Sequence, residues 1–268
     1  MRTPRFIKAV RLFLVLFILG PLSCSHEEAS QKKILVVVAH PDDETGFGAA
    51  LAKQSRLGNK VTVVVAVDAR NHTQFISAAP DSVAKAKRRD VECSCGKLGV
   101  EPLFYEFLSL DRKHGARDGV RDAVETGVSF REKLKQTLLE VQPDLIITFG
   151  PDGEYGHPEH IIVGSLVTEL LLREGWVSKY PLYYFGWTRS QEANGDGWVR
   201  YAEDGYFNVV VNYTDEDEAR AMESIRCYTS GFSPAEMNEM IEFERTRKNE
   251  LYFRRFQVAE GLHSDFFD

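Results

Sequence analysis

Apolar, β-branched runs alternate along the chain with longer segments of mixed polarity, and this alternation predicts strands separated by helices. Residues 34–39 are wholly apolar, which suits a strand buried on both faces of a parallel sheet. Residues 60–67 are almost wholly β-branched and read as a second strand. Residues 102–108, 144–149, 181–188 and 207–212 read as further strands, with 207–212 the last. The run 181–188 is aromatic-rich, carrying Tyr183, Tyr184, Phe185 and Trp187 for packing on one face. Residues 81–98 predict a helix capped by Asp81 and stopped at Gly99. Its apolar stripe is Ala84, Val91, Cys95 and Leu98, and Arg88 falls on the same stripe. Helices are also expected over 128–141, from Pro158 through 161–172, and over 215–227 and 234–254. Strands alternating with helices give an α/β fold class, a three-layer α/β/α sandwich on a mostly parallel sheet.

Two of these strands run straight into clusters of metal-binding and acid/base side chains. After 34–39 come His40, Pro41, Asp42, Asp43 and Glu44. His40 precedes a proline, which pushes it out of helical geometry, and proline is favoured as the first residue of a helix. The pattern predicts His40 as an N-cap with Asp42 and Asp43 in the first turn, where the helix dipole favours carboxylates. Residues three apart share a helix face and adjacent ones do not. His40 and Asp43 can then point at one ion, with Asp42 turned aside and placed to act as a base. After 144–149, a loop of turn formers leads to His157, Pro158, Glu159 and His160 at a second helix start. Both clusters fall at the carboxyl edge of the sheet, where open α/β sheets carry their sites. The two loops are expected to meet and build one metal site for hydrolysis of an amide.

The run Ala39, His40, Pro41, Asp42, Asp43, Glu44 and the later run Gly156, His157, Pro158, Glu159, His160 resemble the two signature motifs of the LmbE/PIG-L family of zinc-dependent de-N-acetylases. The resemblance covers residues 33–172. It implies a Rossmann-like fold and removal of an acetyl group from an N-acetylglucosamine-type sugar or glycoconjugate. It implies that His40, Asp43 and His160 ligate zinc and that Asp42 is the general base. It implies that a protonated His157 stabilises the oxyanion or protonates the leaving amine. Iron(II) would suit the same ligands. The family often has a His-x-Ser-Gln-like run near the C-terminus, where this chain has Cys227, Tyr228, Thr229 and Ser230 instead. The family also tends to carry an Arg…Glu pair in the helix over 81–98. Here Lys87…Asp90 and Arg89…Glu92 both fit, so which of Lys87, Arg88 and Arg89 faces the site stays open. Two other readings compete: an amidase acting on a non-sugar or thiol-conjugate amide, and a non-catalytic glycan-binding lipoprotein.

Arg2, Arg5, Lys8 and Arg11 precede an apolar run over 12–19 and then Cys24. This predicts a lipoprotein-type signal over 1–24 with Cys24 lipidated. It places the protein outside the cytoplasm, anchored to the bacterial envelope at its periplasmic face or at the cell surface. Residues 25–32 read as a polar tether and 33–268 as a single domain. The whole chain carries 33 Lys+Arg against 40 Asp+Glu. Removing 1–24 takes away four positive charges and lowers the formal charge from −7 to −11, which argues against a nucleic-acid partner. With Cys24 lipidated, Cys93, Cys95 and Cys227 remain, and an odd count argues against a disulfide framework. Loops over 68–80, 111–127 and 190–205, the last with Trp198, are expected to set specificity. Asp68 reads as a turn former or a substrate contact, and His26, His72, His114 and His263 as solvated.

Overall fold

Ile34 to Ala39 are all buried, as the apolar run requires, and strand β1 (Lys33–Val38) lies in the interior of the sheet. The computed structural model describes residues 30–70, 79–108, 110, 119–192, 199–259, 261 and 264–265, with the backbone alone for 119–123. The expected leader with Cys24, and His26, His72, His114, Trp198 and His263, lie outside the described residues. After β1 come α1 (Gly48–Arg56), β2 (Lys60–Val67), α2 (Pro80–Leu98), β3 (Glu101–Phe107), α3 (Gly119–Val141) and β4 (Leu145–Phe149). A short helical turn, α4 (Gly153–Gly156), leads to α5 (Pro158–Arg173), β5 (Leu182–Thr188), β6 (Tyr201–Ala202) and β7 (Val209–Asn212). The chain closes with α6 (Asp215–Ile225), α7 (Pro234–Arg245) and β8 (Glu250–Arg255). The sheet order is β3-β2-β1-β4-β5-β8-β7, with β6 paired to β5. Strands β1 to β6 pair in parallel, and β8 runs antiparallel to both β5 and β7. Helices α1, α2 and α6 pack on one another, as do α3 and α5, giving two helical layers around the mostly parallel sheet. No helix among the described residues is long and apolar enough to cross a membrane.

Four expectations change. The run 234–254 is not one helix: α7 stops at Arg245, Lys248 and Asn249 take left-handed φ of 53° and 66°, and β8 follows. Leu251 and Phe253 are buried while Tyr252 and Arg254 are half-buried, a strand period hidden inside a charged segment. The strand 207–212 is therefore not the last. Helix α3 begins at Gly119, well before residue 128, so residues 119–127 of the expected long loop are helical. Helix α2 is capped by the backbone of Ala79 with Pro80 in the first turn, not by the Asp81 side chain.

The fourth change is a disulfide. Cys93 in α2 bonds Cys227, just past the end of α6, across a sequence separation of 134 residues. Counting cysteines could not reveal this pair, because packing of α6 on α2 makes it. Cys95 stays free and buried. Closing so long a loop withdraws on the order of 5 kcal/mol of chain entropy from the unfolded state.

Helix α2 also settles the register left open above. Lys87 and Asp90 are buried, whereas Arg88 and Arg89 are exposed. Arg88 turns outward to Glu106 at 2.7 Å and lies over the Phe104 ring. An exposed ion pair with an aromatic floor removes the oddity of an arginine on an apolar stripe.

Candidate active site

The crossovers β1-β2-β3 run outward in one direction, and the chain then returns to place β4 on the other side of β1. Crevices open at such a reversal, outside the carboxyl ends of the two diverging strands. His40 follows β1, and His157 and His160 follow β4, so the reversal itself brings the two clusters together.

The first loop is not a capped α-helix. Asp42 takes a left-handed φ of 109°, a 3₁₀ turn runs from Asp43 to Phe47, and α1 starts only at Gly48. His40 is therefore not the N-cap. The Asp42 carbonyl accepts the Thr45 N–H at 2.9 Å and the Thr45 hydroxyl at 2.7 Å, which locks the turn. Asp43 Oδ2 accepts the N–H groups of Ala39 and His40 at 3.0 and 2.7 Å. These two bonds fold the carboxylate back over the strand end and turn Oδ1 towards His160. A φ this positive costs a non-glycine residue about 1–3 kcal/mol, a strain usually held at working sites.

The second loop follows its expectation more closely. His157 is the N-cap of α5, its Nδ1 accepting the Glu159 N–H at 3.2 Å, with Pro158 in the first turn. His160 is fully buried and its ring stacks on Phe149, with centroids 3.9 Å apart and planes 8° apart. Gly164, one turn on, permits this approach: a Cβ there would lie 2.3 Å from the Phe149 carbonyl oxygen.

The donor atoms converge. His160 Nε2 is 3.1 Å from Asp43 Oδ1 and 3.3 Å from His40 Nδ1, and His40 Nδ1 is 3.6 Å from Asp43 Oδ2. A tetrahedral ion with bonds of about 2.0–2.1 Å holds its ligands about 3.3–3.4 Å apart, close to the spacing of the two histidine nitrogens, and the Asp43 carboxylate meets one of them through each of its oxygens. His157 is the alternative third ligand, since nitrogens of His40, His157 and His160 all lie within 4.8 Å of one another. One nitrogen of His157 caps α5, and the Asp43 carboxylate lies 3.1 Å from His160 and 3.6 Å from His40. The other nitrogen of His40 lies 2.7 Å from Glu159 Oε2, the arrangement that orients and strengthens a metal-binding histidine. Glu159 is itself fixed by the Leu110 N–H on Oε1, at 2.6 Å.

Electrostatics separate the two aspartates. Burial alone would raise Asp43, but His160 and His40 outweigh it and hold its carboxyl far below the usual range. Burial raises Asp42, the Asp43 charge raises it further, and it reaches about 8 despite the opposing pull of Lys87 and His40. Burial lowers His40, yet Asp43 and Glu159 carry it up to about 10, and His160 rises for a similar reason. His157 goes the other way, to about 4, through burial and the positive charge of His40 and His160. The two neighbouring carboxyls are thus pushed in opposite directions, Asp43 down and Asp42 up.

A family model described as PIG-L, GlcNAc-PI de-N-acetylase, matches residues 35–171. The chain belongs to the PIG-L family. A 1D-myo-inositol 2-acetamido-2-deoxy-alpha-D-glucopyranoside deacetylase of Corynebacterium glutamicum is 31% identical over 147 residues, 50% of this chain and 51% of that protein. The chain thus spans about half the length of such curated relatives. Among solved structures, the N,N'-diacetylchitobiose deacetylase of Pyrococcus horikoshii superposes with a TM-score of 0.64 at 21% identity, covering 85% of this chain and 84% of that one. A deacetylase of teicoplanin biosynthesis gives 0.62 at 18% identity, covering 85% and 100%. At these identities the likeness is one of fold.

In this PIG-L chain a cavity of about 560 Å³ opens beside the converging donors, with Asp42, Asp43, Glu154 and Tyr155 on one side. Trp187, Phe232, Met240 and Phe243 form an apolar wall on another. Trp187 and Phe185 are almost fully buried, so the aromatic strand serves mainly as core, and Trp187 also donates to Glu154 at 3.3 Å. Two site residues escaped the sequence reading. Glu159 stood inside the second motif without a role, and no local signal links it to His40, 119 residues away. Glu154 looked like part of a turn. Its carboxylate lies 3.6 Å from His160 Nδ1, and its left-handed φ of 65° marks a constrained position. Asp68 is a turn residue that accepts the N–H and guanidinium of Arg70, at 3.1 and 2.6 Å.

Proposed function

We propose that this chain is a metal-dependent hydrolase that removes an N-acetyl group from an N-acetylglucosamine-type sugar or glycoconjugate. The observation that carries the reading is the convergence of His40 Nδ1, His160 Nε2 and the Asp43 carboxylate within 3.1–3.6 Å of one another, with Asp42 beside them on the cavity wall. Membership of a de-N-acetylase family supports it. His40, Asp43 and His160 would hold zinc or iron(II), and such an ion would supply Lewis acidity, polarising the amide carbonyl and acidifying a water molecule. Asp42 takes the proton as water attacks and returns it to the departing amine, so one carboxyl serves as base and then acid. His157 donates to the developing oxyanion as a neutral imidazole rather than the protonated one expected from sequence. Its Nδ1 accepts from Glu159, which leaves the proton on Nε2. Glu159 keeps the His40 ring in register throughout.

We propose further that the protein is exported and anchored through a lipid on Cys24. A disulfide between Cys93 and Cys227 suits an oxidising compartment and is compatible with that location. Metabolic labelling with a radioactive fatty acid, beside a Cys24→Ala variant, tests the anchor.

The test of function is an acetate-release screen on the metal-loaded protein with N-acetylglucosamine, its oligomers and glycosides, and simple non-sugar and thiol-conjugate amides. Release from the acetamido sugars alone supports the proposal. Release confined to non-sugar amides moves the activity to an amidase, and tight glycan binding without release makes the protein a lectin-like lipoprotein. The pH profile gives an independent check. The Lys87 charge lowers Asp42, so Lys87→Met removes that pull and raises the Asp42 pKa. The acid limb of kcat/KM, where the base gains its proton, is expected to move to higher pH. A limb that stays in place would detach it from Asp42.

A further inference from the structure

Glu44 is the next residue after Asp43, is fully buried, and takes no part in the chemistry above. Its Oε1 accepts two hydroxyl hydrogen bonds, from Ser94 of α2 and from Tyr228 beyond α6. Cys93 and Cys227, the residues immediately before those two donors, are joined by the disulfide. The same segment is tied to α2 a third time, where Ser230 donates through both its N–H and its hydroxyl to Asp90. Glu44 also belongs to the 3₁₀ turn whose first residue, Asp43, takes the N–H groups of Ala39 and His40. A chain of contacts therefore runs from the disulfide to the donor atoms of the site.

We propose that Glu44 and Tyr228 are positioning residues for the site turn, and that the Cys93–Cys227 bond is the clamp that keeps the Ser94 and Tyr228 hydroxyls on Glu44. The physical reason is the strain of that turn. Asp42 holds a left-handed φ of 109° only while its surroundings enforce it. Among the contacts around that turn, the Glu44 carboxylate ties it to α2 and to the segment after α6 through the Ser94 and Tyr228 hydroxyls. A buried carboxylate that loses a donor relaxes towards another partner or towards water, and the two aspartates before it move with it. The inference rests on the reading of Asp42 and Asp43 as site residues.

The experiment compares the full chain with a Cys93→Ser/Cys227→Ser double variant and with Tyr228→Phe. The latter keeps both the ring and the disulfide. Hydrogen exchange of the peptide covering residues 39–47 is followed by mass spectrometry, with the β4 peptide as control, and zinc affinity is read by competition with a chromophoric chelator. Both variants are expected to exchange about tenfold faster over 39–47, with β4 unchanged, and to bind zinc about tenfold more weakly, the scale seen when a residue supporting a ligand is lost. Combining them is expected to add little, because they act through one contact. A disulfide that stabilises only globally would lower the melting temperature while leaving exchange over 39–47 and zinc affinity untouched, and that result overturns the proposal. If the double variant fails to fold, Tyr228→Phe decides alone. A wild-type chain that binds neither zinc nor iron(II) would defeat the hydrolase reading, while the exchange data would still decide the clamp.

Discussion

His160→Ala is expected to leave the purified chain without a metal ion and without turnover. Structural zinc sites are worth about 10–16 kcal/mol over four ligands, so one ligand carries on the order of 3 kcal/mol, at least a hundredfold in affinity. His160 also sits closest to the other two donors, at 3.1 Å from Asp43 and 3.3 Å from His40. Without it, His40 and Asp43 remain, too few to hold an ion against a chelator. Alanine removes a fully buried ring stacked on Phe149, so part of the effect falls on stability. His160→Gln, which refills the space, separates the two contributions. Metal content after dialysis against a chelator, measured beside the circular dichroism spectrum, is the check. About one ion per chain in a folded His160→Gln protein would remove His160 from the ligand set.

Asp42→Asn is expected to keep the metal and lower kcat by a factor on the order of 100 to 10,000, the usual worth of a general base. Asparagine is the variant of choice because it tolerates the left-handed backbone at φ 109° better than other non-glycine residues. Asp42→Ala is expected to lose activity by a factor on the order of 100 or more, with an added loss of stability because alanine does not favour that conformation. The metal is the discriminating readout. Asp42 lies beside His40, Asp43 and His160 but makes none of the short contacts among them, so its loss would leave the proposed ligand set intact. Turnover by Asp42→Asn within a few-fold of the parent chain would send the base role elsewhere, and Glu154 is then next in line. Burial raises its carboxyl to about 7, and it stands 3.6 Å from His160.

Much of this site was legible before any coordinates. An apolar run that ends in His-Pro-Asp-Asp places a histidine and an acid at a strand end, and the later Gly-His-Pro-Glu-His does the same. Strand ends, prolines and helix starts are short-range features, so one sequence carries them. The expectation of His40 as an N-cap was wrong in its mechanism, yet the geometry it served was reached another way. Asp43 captures the backbone of Ala39 and His40 instead of lying in a helical turn. The strand β8 was missed because its two inward residues are embedded among charges that also fit the exposed face of a helix. The disulfide was missed because parity counting assumes knowledge of which cysteines are spoken for.

The alternation of strands and helices, the mostly parallel α/β class and the two motifs can all be read along the chain. Hydrophobic period, proline and glycine placement and motif spacing all act within a few residues. Which groups meet depends on how the sheet and helices pack. That packing set β4 beside β1, so that the reversal of strand order brings His160 to His40 and Asp43. It put Glu159 behind His40 and Glu154 beside His160, turned Lys87 rather than Arg88 inward, and closed Cys93 on Cys227 across 134 residues. Glu159 and His40, like Cys93 and Cys227, lie far apart in sequence and meet through the packing of the sheet and its helical layers, and no local preference along the chain encodes these pairs.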